Sequence, residues 1–260
     1  MNGAGNDFVL IDNRDGGVSL SREQIAKLCH RQRGVGADGL ILLRNAEGEG
    51  DWAWDFYNAD GSDAEMCGNG ARCFASYIQH TLGGNGTLSF ETACGLIRAT
   101  IGDTTVTVNL TDPNGLALNE TITTREGEQT VHSLNTGVPH AVLFVDDADA
   151  AMVDSLGKEI RHHDHFAPAG TNVNFVEILS PGKIRVRTYE RGVGETLACG
   201  TGVCASAIFA AQLNDWPADV QVTVLGGDTL QVAFESDGEN FFNVQLAGPA
   251  QFVYEGTVVV

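Results

Sequence analysis

Cys67 and Cys199 stand in nearly the same phrase, "AEMCGNGARCFA" at residues 64–75 and "TLACGTGVCASA" at 196–207. In each, the cysteine precedes Gly-x-Gly and a run of small and apolar residues that reads as the start of a buried helix. A helix N-terminus gathers unpaired N–H groups and the positive end of the helix dipole. That setting stabilises a thiolate and can hold a carboxylate, while the glycines let a ligand approach the backbone. An isolated cysteine in such a chain is usually a small core hydrophobe, and Cys29, Cys73, Cys94 and Cys204 are read that way.

A repeated thiol allows chemistry that a single one does not. Inverting a carbon that bears an acidic proton needs a base on one face and an acid on the other, the two exchanging roles in the reverse reaction. A thiolate and a thiol meet that need near neutral pH, because the free thiol pKa of about 8.5 is readily lowered at such positions. Two similar domains facing each other would set the thiols on opposite sides of one cleft. A racemase or epimerase without a cofactor follows from that symmetry.

The elements that position the cysteines repeat as well. Shifting the chain by 132 residues lays Cys67 on Cys199, Gly68 on Gly200, Gly70 on Gly202, Tyr57 on Tyr189 and Asn58 on Glu190. The same shift lays "GNDF" (5–8) on "GVPH" (137–140) and "FETACG" (90–95) on "VTVLGG" (222–227). Several matched stretches at one offset point to duplication. Apolar segments at 8–12, 39–43 and 52–58, matched at 141–145, 173–179 and 183–189, read as strands. Helices are expected over 21–31, with Ser21 as N-cap, and over 70–82 and 202–213. Strands with glycine turns follow at 86–110 and 220–236. "DPNG" at 112–115 reads as the turn where one half passes to the other. The expected domains are 1–113 with 247–260, and 114–246, the tail supplying a strand that pairs back with the first domain.

Composition narrows the classes. The 260 residues are 43% hydrophobic, enough for a substantial core. No apolar run approaches the ~18 residues of a membrane span, and "MNGAGNDF" has neither the basic start nor the apolar stretch of a signal peptide, so a cytoplasmic protein is expected. A disulfide scaffold is not expected there, and the spacings of Cys67/Cys73 and Cys199/Cys204 fit no common zinc template. A formal charge of −19 disfavours nucleic acid and anionic membrane surfaces as partners. The acids are scattered, as on a strongly solvated surface, and suit a salt-rich cytoplasm where screening relieves self-repulsion.

"GNDF", "RGVGADG", "NADGSDAEMCGNGARC", "GVPH" and "YERGVGETLACGTG", in this order over almost the whole chain, resemble the diaminopimelate epimerases. The resemblance implies interconversion of LL- and meso-diaminopimelate without pyridoxal phosphate or metal, on the route to lysine and peptidoglycan. It implies an α+β fold of two pseudo-symmetric domains, each a mixed β-sheet or barrel wrapped around a central helix, and a homodimer. By resemblance, Cys67 and Cys199 are the acid/base pair, and His140 and Glu190 orient and assist them. Substrate contacts carry over to Asn6, Asn58, Gly68, Asn69, Asn172, Glu190, Arg191, Gly200 and Thr201. Diaminopimelate carries two ammonium and two carboxylate groups, so donors from helix N-termini, Arg191 and neutral amides suit it. Asn58 before "ADG" also suits a plain turn, and the remaining histidines, "RHHDH" at 161–165 among them, read as solvated. Three positions depart from the family: Val138 replaces an asparagine found in many members, Gly39 replaces a glutamine found in some, and only Asn2–Ala4 stand between Met1 and the "GNDF" loop, where members carry a short strand.

Rival readings are weaker. A proline or hydroxyproline racemase would share the two Cys-Gly-x-Gly phrases but not "YERG" or the asparagines suited to a longer substrate. A pyridoxal-phosphate racemase needs a Schiff-base lysine, and Lys27, Lys158 and Lys183 lie in no phosphate-binding context. A binding protein that kept the fold would not need both cysteines and both assisting residues.

Overall fold

The computed structural model describes residues 1–64, 66–84 and 86–260. The chain folds into two compact units, Met1–Asn109 with Gly248–Val260, and Leu110–Ala247. Residues 110–113 fall with the second unit because Leu110 N–H donates to Val244 O and the Asp112 carboxylate accepts from Asn243 N–H. "DPNG" is not an isolated turn: Asp112 and Pro113 are irregular, while Asn114 and Gly115 already begin a strand.

The first unit carries strands β1 Asn2–Gly3, β2 Asn6–Asp12, β3 Gly39–Asn45, β4 Trp52–Asn58, β5 Thr87–Thr92, β6 Gly95–Ile101 and β7 Val106–Asn109. They are hydrogen-bonded in chain order, β2–β3 and β4–β5 being parallel and the other pairs antiparallel. Helix α1, Arg22–Cys29, has Ser21 as N-cap with a full capping box to Gln24. It packs on β3 through Ile25, Leu28 and Cys29 against Leu40 and Leu42. Helix α2, Gly68–Leu82, lies against β1, β2, β3, β6 and β7. With helices on both faces, β3 is a continuous apolar run, "GLILL", and not an alternating one.

The second unit repeats this plan. Its strands are β8 Asn114–Thr124, β9 Gly127–Asn135, β10 Pro139–Phe144, β11 Asn172–Ser180, β12 Lys183–Glu190, β13 Gly194–Thr196, β14 Asp219–Val224, β15 Thr229–Ser236 and β16 Phe241–Gly248. The order β8-β9-β10-β11-β12-β14-β15-β16 has parallel pairs at β10–β11 and β12–β14, the places they occupy in the first unit. A π-helical turn, Val153–Gly157, runs into the short helix α3, Lys158–Arg161, and covers one sheet face over Ala141, Leu143, Val173 and Phe175. Helix α4, Gly200–Leu213, covers the other, packed by β9, β10, β11, β12, β14 and β15. Its Val203, Ile208 and Phe209 are wholly buried, each stabilising by about 2 kcal/mol relative to exposure. A helix enclosed on all sides must be apolar all round, which "GVCASAIFAAQL" is.

Where the nine-residue β9 pairs with β10 through His132–Asn135, the first unit has the two-residue β1 beside β2. The tail forms no strand. It meets the first unit through the Gln251–Asn2 bridge, through Arg72 Nε, which donates to Pro249 O, and through Phe252, which stacks on Tyr77 and His80. Among the described residues no helix is long and apolar enough to cross a membrane.

Candidate active site

Cys67 is the N-cap of α2 and Cys199 the N-cap of α4, both in extended backbone conformation. The helices begin at Gly68 and Gly200, two residues earlier than the apolar pattern predicts, because the glycines take part in the first turn. Gly68 and Asn69 in one unit, and Gly200 and Thr201 in the other, therefore bring their N–H groups to a helix N-terminus.

In the first unit Cys67 is half-buried, accepts from Gly70 N–H and lies 3.4 Å from Asn6 Oδ1. Asn69 Nδ2 donates to the same oxygen, while its Oδ1 accepts from the wholly buried Arg72, which also binds Gly68 O. Asn6 Nδ2 donates to Asp38 Oδ2 at 2.7 Å. A carboxylate only accepts, so Asp38 fixes which end of the Asn6 amide faces the sulfur. Arg31 bridges Asp38 and Asp7 and, despite the cost of partial burial, leaves the Asp7 carboxyl below its ordinary range. Cys73, one turn into α2, is enclosed, and burial pushes its thiol up to about 12. Burial likewise raises Cys29 to about 11, so both are inert at neutral pH. Asn58 stands apart from this group: its amide donates to Ser62 Oγ and Asp63 O and closes the turn after β4.

In the second unit Cys199 is 6% exposed and its sulfur lies 3.6 Å from Thr201 Oγ1. The same hydroxyl is 2.9 Å from His140 Nε2. His140 is on β10 and not in a loop, with only 136–138 forming the bend before it. Burial, with the Arg191 guanidinium adding to it, pushes His140 down to about 3, so the ring is neutral. Its Nδ1 faces Asn174 Nδ2 at 3.1 Å, and Asn174 is held in turn by Thr188. His140 thus reaches Cys199 through Thr201. Glu190 and Arg191 open the β12–β13 hairpin, whose Gly192 and Gly194 take φ of 79° and 97°. Thr196 Oγ1 donates to the Glu190 carboxylate, and Asn172 Oδ1 accepts Arg191 N–H.

Asp38, Asn174, Thr188 and Thr196 lie outside the residues singled out by sequence. Asn174 and Thr188 fall on strands as ordinary polar positions. Their signal is the even spacing from Asn172 and Glu190, which puts each pair on one sheet face. No three His, Cys, Asp or Glu side chains among the described residues come together as a metal-holding set.

A sequence model of diaminopimelate epimerase matches residues 1–115 and 132–253. The diaminopimelate epimerase of Hydrogenobaculum sp. is 44% identical over 269 residues, covering 98% of this chain and 95% of the relative. That of Chlorobaculum tepidum is 40% identical over 270 residues and 100% of both chains. Among solved structures, a PhzF-family phenazine biosynthesis protein from Bacillus anthracis superposes with TM-score 0.74 at 15% identity, covering 100% of this chain and 95% of its own. A hydroxyproline epimerase from Agrobacterium vitis superposes with TM-score 0.68 at 18% identity, covering 87% and 76%. These likenesses give the fold, and the closer relatives give the family. The chain belongs to the diaminopimelate epimerase family.

Proposed function

We propose that this chain interconverts LL- and meso-2,6-diaminopimelate by proton transfer at the α-carbon, Cys67 and Cys199 serving as acid and base. The observation that carries this is the repeated N-cap thiol, each followed by Gly-x-Gly and each next to an amide or hydroxyl that can orient its hydrogen bond. One thiolate takes the α-proton as the other thiol delivers its own to the opposite face, and the reverse reaction exchanges their states. No cofactor is needed for that exchange.

N–H groups of Gly68 and Asn69 at the start of α2, and of Gly200 and Thr201 at the start of α4, supply donors for a substrate carboxylate. Glu190 offers its carboxylate to an ammonium group and Arg191 its guanidinium to a carboxylate. Asn6, Asn58 and Asn172 supply amides. His140 assists Cys199 through the Thr201 hydroxyl between them. The reading extends to lysine and peptidoglycan precursor formation in the cytoplasm by a homodimer, with no nucleic acid or membrane partner. It is tested by incubating reduced protein with LL-diaminopimelate and resolving stereoisomers chromatographically. Meso product is expected. No meso product, with inversion of L-proline or L-hydroxyproline instead, overturns the substrate assignment.

A further inference from the structure

Asn174 is wholly buried, and the orientation of its amide follows from what surrounds it. One end lies 3.0 Å from Ala141 O, a backbone carbonyl that can only accept. The other lies 2.9 Å from the Thr188 hydroxyl. Nitrogen must therefore face Ala141, and oxygen must face Thr188. The nitrogen has a second hydrogen, and its remaining neighbour is His140 Nδ1 at 3.1 Å. A nitrogen that accepts there bears no proton, so the proton of the neutral ring sits on Nε2. Nε2–H then donates to Thr201 Oγ1 at 2.9 Å. With its oxygen receiving from the ring, the Thr201 hydroxyl directs its own hydrogen to the Cys199 sulfur at 3.6 Å.

We infer that Asn174, anchored by Thr188, is a positioning residue that locks His140 in its Nε2–H form and so turns the Thr201 hydroxyl into a donor for the Cys199 thiolate. The device rests on the reading of Cys199 as an acid/base group. Arg191 is the charged neighbour acting on His140, and it opposes protonation of the ring in the same sense as burial does. The Cys67 setting is mixed, because its sulfur accepts from Gly70 N–H and also faces an amide oxygen. There Asp38 turns the Asn6 amide so that an oxygen faces the sulfur, which suits a protonated thiol that donates to it.

The test reads the tautomer in the free protein, so it does not depend on turnover. Histidine-labelled protein is examined by long-range nitrogen–proton correlation NMR, with the His140 signals identified by their loss in His140→Gln. The wild-type ring is expected to show protonated Nε2 and bare Nδ1 at neutral pH. Asn174→Asp replaces the donor with acceptors and is expected to move the proton to Nδ1 or add a second one. Thr188→Val, which is milder, is expected to mix the tautomers, and Thr188→Ser to restore the wild-type pattern. Alkylation of Cys199 by iodoacetamide, followed by peptide mass analysis, is expected to slow at least about tenfold in Asn174→Asp and Thr188→Val but not in Thr188→Ser. An Nδ1–H ring in the wild type overturns the inference, as does a Cys199 alkylation rate unchanged when the tautomer moves. The correct tautomer with no epimerase activity would count against the proposed function and leave the relay standing.

Discussion

His140 Nε2 and Cys199 Sγ approach the Thr201 hydroxyl from two sides, at 2.9 Å and 3.6 Å, so the imidazole acts on the thiol through an intervening oxygen. Thr201→Val keeps the shape and removes that oxygen, whereas Thr201→Ser keeps it. The valine variant is expected to lose about a hundredfold or more in kcat, the scale of a general acid–base contribution, while the serine variant stays within about tenfold of wild type. Steady-state kinetics in both reaction directions checks this. Equal losses in the two variants would assign Thr201 a packing role only.

Gly70 and Gly202 are equivalent in the repeat but differ in what an added Cβ would meet. At Gly70 it would lie 3.4 Å from Ile41 Cδ1, an ordinary contact; at Gly202 it would lie 2.3 Å from Asn174 Oδ1 and 3.1 Å from His140 Cε1. Both glycines lie in the first turn of a helix, where alanine loses less backbone entropy than glycine. Gly70→Ala is expected to be neutral or slightly stabilising, and Gly202→Ala to cost about 1–3 kcal/mol through overpacking, with most of the activity lost. Urea unfolding and kinetics on both variants compare the two directly.

Asp38 lies outside the residues expected to touch substrate, yet it decides the orientation of Asn6. Asp38→Ala releases that amide. A drop of about tenfold in kcat/KM is expected from losing a hydrogen bond to a charged group, with less than about 1 kcal/mol lost in stability because the Arg31 pair is exposed. A stability loss that accounts for the whole activity change would contradict the orienting role.

His140 links stability to pH. Its ordinary value is 6.5 and burial pushes it down to about 3 in the folded chain. Between these values the unfolded chain binds the extra proton, so stability is whole above about pH 6.5 and falls as the pH drops through the window, by up to ~1.4 kcal/mol per unit. His132, also pushed down by burial, acts in the same direction. Urea unfolding of wild type and His140→Gln at several pH values should show a shallower decline below pH 6.5 in the variant. Parallel curves would mean that His140 does not stay neutral on folding.

Much of this was legible in the sequence, for identifiable reasons. The two N-cap cysteines and their helices show in composition because an enclosed helix must be apolar and its glycines must begin the first turn. β3, β10 and β11 show as apolar runs because helices cover both faces of their sheets, while β12 shows by its alternation, "KIRVRTYE". The β8–β9 hairpin did not show: "ETITTREGEQTVHS" is largely polar and half-exposed, and its pairing carries it more than its pattern does. The tail "AQFVYEGTVVV" reads as a strand by propensity, yet it forms no strand and pairs with the sheet through the Gln251–Asn2 bridge. The polar relay behind His140 is invisible to periodicity, since Asn174 and Thr188 look like outward positions until α4 is laid over that sheet face.

The most direct test of the two-thiol account is proton NMR of LL-diaminopimelate in D2O with the reduced wild-type protein and with Cys67→Ser and Cys199→Ser. The account predicts loss of the α-proton signal as the meso isomer forms with wild type, and a large slowing of epimerisation in each variant. Wild-type rates retained by either serine variant, or no solvent exchange with the wild type, would contradict it.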